Sequence, residues 1–134
     1  MQSQITQLMD KSKPYDLEER TYAFALETRM FLRNTKWDPV SWPDIKQVLR
    51  SSGSIAANYI EAIEAISESD ALYRLRLSKK EARETGLWLR LISDSNPIDK
   101  SVHIALDSLI SESCELVKIF ASIIRKKSTT HPLI

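Results

Sequence analysis

The chain has 134 residues, with 19 Lys and Arg set against 18 Asp and Glu, two glycines and one cysteine. That length suits one domain able to bury a core without disulfides or metals, and so few glycines argue against hairpin-rich β folds and glycine-rich phosphate loops. Near-equal charge removes the global basicity that marks many nucleic-acid binders, so any such role has to arise from local clustering.

Residues 1–15 are polar, carry no sustained period and end just after Pro14, so they are read as a flexible N-terminal segment. They contain no apolar run of signal-peptide length, and Cys114 has no partner for an internal disulfide. No stretch reaches membrane-spanning length. The expectation is a reduced, cytoplasmic setting with no membrane partner.

The first helix is expected to start at Asp16. Its carboxylate can accept from first-turn amides while Glu19 bonds back, a capping box. Leu17, Thr21, Phe24, Thr28 and Phe31 then follow at alternating steps of four and three, with Tyr22, Leu26 and Met30 widening the stripe, to about Asn34. The same start pattern recurs at Ser41 with Asp44, Ser67 with Asp70 and Asn96 with Asp99, and Pro43 and Pro97 fall in first turns, where a missing amide costs little. The starts predict four helices, over 16–34, 41–66, 68–93 and 97–127, so the bundle spans 16–127 and residues 128–134 form a flexible tail. Short connections between long helices imply an antiparallel, up-down-up-down four-helix bundle, an all-α fold.

The second helix presents Ile45, Val48, Ser52, Ile55, Tyr59, Ile63 and Ile66 inward. The fourth presents Val102, Leu106, Leu109, Ser113, Leu116, Phe120 and Ile123, flanked by Ile110, Val117 and Ile124. Gly53 and Gly86 lie inside helices at a cost of ~1 kcal/mol each relative to alanine, which suggests close packing there.

The third helix has a surplus. Ala71, Leu75, Ser78, Ala82, Thr85, Leu89 and Ile92 form its inward face, while Tyr73, Leu77, Leu87, Trp88 and Leu91 lie well away from that face. A four-helix bundle needs one inward stripe per helix, so this second side is expected to be a subunit interface between copies of the chain. Arg76, Lys79, Lys80, Arg83 and Arg90 occupy a further arc of about 100 degrees.

The run Ser54-Ile55-Ala56-Ala57-Asn58-Tyr59 with Glu61, followed by Glu81-Ala82-Arg83-Glu84-Thr85 and Trp88-Leu89, resembles the bacterial four-helix-bundle proteins named for members encoded in intervening sequences of large-subunit ribosomal RNA genes. The chain is also similar to the accessory variability determinant of diversity-generating retroelements. The resemblance covers roughly residues 16–127, with its motifs in the middle third. It implies a homopentameric barrel without catalytic activity or cofactor and, for the retroelement relatives, binding to nucleic acid and to a reverse transcriptase. Ala56 and Ala62 stand where many members carry proline and glycine, and the chain is less basic than the retroelement protein.

The cation arc on the third helix, repeated around a ring, would make a positive surface suited to sequence-blind phosphate contact with RNA or DNA. Arg125, Lys126 and Lys127 at the end of the fourth helix are candidates to extend it. Asn58 and Glu84 are read as structural polar residues that fix register or a subunit contact. Glu61, Glu64 and Glu68 share one helical side. A di-iron site would also need Glu-x-x-His motifs, and neither His103 nor His131 supplies one, so no metal is expected. Cys114 has no sequence-near activating base and is read as a small buried residue. The functional expectation is a non-enzymatic homo-oligomeric scaffold that binds nucleic acid through basic helix faces. The alternative is a protein-interaction adaptor whose charges serve solubility and pairing.

Overall fold

A computed structural model describes residues 16–130, and the expectations for 1–15 and 131–134 fall outside the described residues. The elements are α1 (Leu17–Arg33), a 3-10 turn (Pro39–Ser41), α2 (Trp42–Ile63), α3 (Glu68–Ser95) and α4 (Lys100–Thr130), with no strand among the described residues.

Two of the four predicted starts form as expected. Asp16 Oδ1 accepts the Glu19 amide at 3.2 Å, and Ser67 Oγ accepts the Asp70 amide at 3.1 Å. The other two are corrected. Ser41 makes no capping bond; the lead into α2 is the 3-10 turn, whose Val40 amide is held by Asp38 at 3.0 Å. Asn96 closes α3 instead of opening α4, because Pro97 disfavours the helical conformation in the residue before it and Asn96 is accordingly extended. Its side-chain amide donates to the Ile92 carbonyl at 2.8 Å and to Ser41 Oγ at 2.9 Å, tying the start of α2 to the end of α3. Asp99 caps α4 by accepting from the Val102 amide at 2.9 Å and the Ser101 hydroxyl at 2.7 Å; these bonds hold its carboxyl below the usual carboxylate range.

The ends shift too. α2 stops at Ile63 rather than Ile66, and the chain reverses into an extended Ser67, leaving Ile66 98% exposed. α3 continues to Ser95, past the expected Ser93, and α4 runs through Ser128 to Thr130.

Cross-helix bonds fix the antiparallel order. Between α2 and α3, Arg74 Nη1 donates to Asn58 Oδ1, Ser78 Oγ donates to the Ile55 carbonyl at 3.0 Å, and the Thr85 and Ser51 hydroxyls meet at 2.7 Å. Between α3 and α4, Ser93 faces His103 at one end and Glu68 pairs with Lys127 at the other. α1 is held to α2 by Arg29, which donates to the Leu49 carbonyl at 2.9 Å and to Ser52 Oγ. It is held to α4 by the buried, two-pronged Arg20–Glu112 pair at 2.8 and 2.9 Å. Along α2–α3 and α3–α4, contacts that come later in one helix come earlier in its neighbour, as antiparallel packing requires.

Phe24, Val48, Ile55, Leu75, Leu89, Ile92, Leu106, Leu116 and Phe120 form the core, with Thr21, Thr28, Ser51, Ser78, Thr85 and Ser113 buried among them. These short polar residues satisfy themselves on helix carbonyls or on each other, so the helices approach closely without burying an unmet donor. Gly86 marks the tightest approach, since a Cβ there would lie 2.8 Å from Ser113 Oγ on α4. Gly53 instead leaves room for the Arg29 guanidinium, 3.0 Å from where its Cβ would be.

Candidate nucleic-acid interface

α3 lies between α2 and α4, and its neighbours sort its side chains into three bands. On the α2 side stand Glu81 and Glu84, whose carboxylates lie 3.2 and 3.6 Å from the Arg50 guanidinium of α2. Leu77 on that side is half-buried, and Trp88 packs its ring against its own core. The Trp88 indole N–H is buried with no hydrogen-bond partner among the described residues.

Facing outward are Tyr73, Leu87 and Leu91, exposed by 56%, 50% and 42%. The expected interface set therefore divides: these three form an uncovered apolar strip, whereas Trp88 and Leu77 are partly taken up by the protomer itself. Arg74 lies over the Tyr73 ring at 5.8 Å.

On the α4 side stand Lys79, Lys80, Arg83 and Arg90, with Arg76 one turn before Lys80 on the same helix. All are exposed except the half-buried Lys79, and none forms an ion pair with a carboxylate among the described residues. Lys79, Lys80, Arg83 and Arg90 line one wall of a groove of about 820 Å³ between α3 and α4, and Lys118 of α4 stands at the other wall. Glu84 is the one carboxylate residue that shares this groove, and its Oε1 lies 3.6 Å from Arg50. The floor includes Ala82, Gly86, Ile110, Ser113, Cys114 and Val117. Cys114 is exposed there, correcting the expectation that it is buried.

Lys118 was not singled out in the sequence; in the structure it lies 3.6 Å from Glu115 of the same helix. Its step of four from Cys114 and its place beside Val117 were the available signal. Arg125, Lys126 and Lys127 do not line the groove; Lys127 instead reaches Glu68 at 3.2 Å.

Asn58 is half-buried, donating to the Ser54 carbonyl at 2.9 Å while accepting from Arg74, and so links α2 to α3. Glu61 and Glu64 are exposed on the last turns of α2. Among the described residues no three His, Cys, Asp or Glu side chains come together as a metal site, and no helix is long and apolar enough to cross a membrane.

A crystal structure at 1.70 Å of a protein of unknown function from the S23 ribosomal protein family of Bacteroides thetaiotaomicron is similar to this chain, with 34% identity and a TM-score of 0.67. The match covers 80% of this chain and 96% of that one. No curated protein matches. Residues 19–119, most of the bundle from α1 to α4, match the family described as 23S rRNA-intervening sequence protein, and the chain belongs to that family.

Proposed function

We propose that the protein is a non-enzymatic, homo-oligomeric helical scaffold that binds nucleic acid through the α4-facing edge of α3. The observation that carries this reading is the separation of charge across α3. Its two mid-helix glutamates pair with Arg50, while Arg76, Lys79, Lys80, Arg83 and Arg90 have no carboxylate partner among the described residues. Long cations in one row, all but Lys79 exposed, supply phosphate neutralisation, which needs no base-specific geometry. The names of the family and of its structural relative both refer to the ribosome or its RNA, which supports RNA as the polyanion.

Self-association rests on the outward strip of Tyr73, Leu87 and Leu91, large apolar side chains left 56%, 50% and 42% exposed. Five copies is the number the family resemblance implies, and a ring would repeat the cation row around its circumference. A second surface favours an additional protein contact. Ile60, Ile63 and Ile66 are exposed where α2 turns into α3, beside an open cavity of about 560 Å³ lined also by Tyr59, Ile123 and Lys127.

The test is fluorescence anisotropy of labelled RNA and DNA at low salt with wild type and with the triple variant Arg76→Glu/Lys79→Glu/Arg83→Glu. Wild type is expected to bind, and the variant to lose binding while keeping its helicity and sedimentation. Absence of wild-type binding at the lowest salt, or undiminished affinity in a folded variant, overturns the reading.

A further inference from the structure

The α3–α4 groove is more than a charged face. Its rim is cationic, with Lys79, Lys80, Arg83 and Arg90 along a row of about 16 Å on α3. Its floor is largely apolar, with Ile110, Cys114 and Val117 of α4 beneath the Leu87 edge. Glu84 is the one carboxylate residue among those lining it, and its Oε1 lies 3.6 Å from Arg50 Nη2.

A duplex presents phosphates on the outside and keeps its base faces stacked within, so it could neutralise the rim but would leave the floor uncovered. An unpaired strand carries both chemistries on every nucleotide, a phosphate for the rim and a free base face for the floor. Gly86 keeps the floor low, because it adds no side chain of its own above Ser113 of α4. The floor has no aromatic ring, so base contact there is by van der Waals surface and is sequence-tolerant.

We infer that the ligand of this groove is single-stranded nucleic acid, with phosphates on Lys79, Lys80, Arg83 and Arg90 and unpaired bases against Ile110, Cys114 and Val117. This rests on the nucleic-acid reading above and narrows it to one strand state and one groove. Lys118, on the α4 wall, supplies a second-side phosphate contact by exchanging Glu115 for the ligand.

The chain provides its own probe, since Cys114 is its single cysteine and is exposed on the groove floor. The rate of Cys114 alkylation by N-ethylmaleimide is measured alone, with saturating short oligouridylate, and with a duplex RNA of the same length; binding of each RNA is followed in parallel by anisotropy. Oligouridylate is expected to slow alkylation about tenfold or more, and the duplex to leave it within about twofold. Cys114→Glu, an exposed substitution checked for unchanged helicity, is expected to weaken oligouridylate about tenfold with duplex affinity unchanged.

Equal protection by the duplex overturns the strand-state inference while leaving nucleic-acid binding intact. Binding of both RNAs without protection overturns the groove and places contact elsewhere on α3. Protection that grows with protein concentration before RNA is added assigns the groove to a second copy and also overturns the inference. Failure of both RNAs to bind removes the broader functional reading with it.

Discussion

The Glu27 carboxyl is held above its ordinary value of 4.5 by burial, with the neighbouring Glu112 carboxylate adding to the effect, and its Oε2 finds no hydrogen-bond partner among the described residues. Because the folded-state value is raised, ionised Glu27 destabilises the fold above that value, and the penalty disappears once the pH falls below 4.5. Glu27→Gln is therefore expected to raise the urea midpoint at pH ~7 and to match wild type in acid. An equal gain at both pH values would assign the effect to packing instead. The nearby Arg20–Glu112 pair has the opposite character: each charge is buried and answered by two hydrogen bonds, so removing either leaves the other exposed to the full desolvation cost. Neither feature was legible in the sequence. Arg20 sits beside the Leu17–Thr21–Phe24 stripe and reads as a flanking solvated charge, and Glu112 lies 92 positions away on a helix whose register against α1 only the fold determines. Periodicity identified buried Thr21, Thr28, Ser78, Thr85 and Ser113 without difficulty, because the position on the helix sets burial whatever the side chain's polarity.

At the scale of elements, α3 shows both how far a periodic reading reaches and where it stops. All seven residues expected on its inward face are buried, and its start at Ser67 was correctly signalled. The wheel could not say which neighbour lies on which edge, so the pairing of Glu81 and Glu84 with Arg50 of α2 was not legible. The same difficulty separated Ser41 and Asn96 from their expected capping roles, since each found a better partner in the other across 55 positions of chain. The α3–α4 contact offers a test of close packing. Alanine at Gly86 would gain ~1 kcal/mol of helix propensity. Its Cβ, however, would lie 2.8 Å from Ser113 Oγ, an oxygen already bound to the Ile110 carbonyl. Overpacking costs ~1–3 kcal/mol, so the clash prevails and Gly86→Ala is expected to lower the melting temperature. In a Ser113→Ala background the next atom is the Cβ at 3.8 Å, and Gly86→Ala is there expected to be neutral or stabilising by up to ~1 kcal/mol. A loss of equal size in both backgrounds would show that Ser113 Oγ is not the obstacle.

For the whole molecule, the all-helical bundle was legible because four capped amphipathic segments with short connections leave few other arrangements. Its outer surface was legible only in part. The sequence revealed that α3 has too many apolar residues, but not that Trp88 would lie against its own core while Tyr73, Leu87 and Leu91 stayed uncovered. If that strip joins copies, Leu87→Glu/Leu91→Glu should sediment as a monomer with unchanged helicity where wild type sediments as an oligomer; a wild-type monomer at micromolar concentration would remove the ring. The central claim concerns charge. Five α3 cations without carboxylate partners among the described residues should release counterions when they meet phosphates, and this can be counted. The decisive measurement is the slope of log affinity against log salt for short single-stranded RNA, expected at about −3.5 if all five engage one strand and falling to about −1.4 in the Arg76→Glu/Lys79→Glu/Arg83→Glu variant. A wild-type slope near zero, or one that the three reversals leave unchanged, would contradict the account.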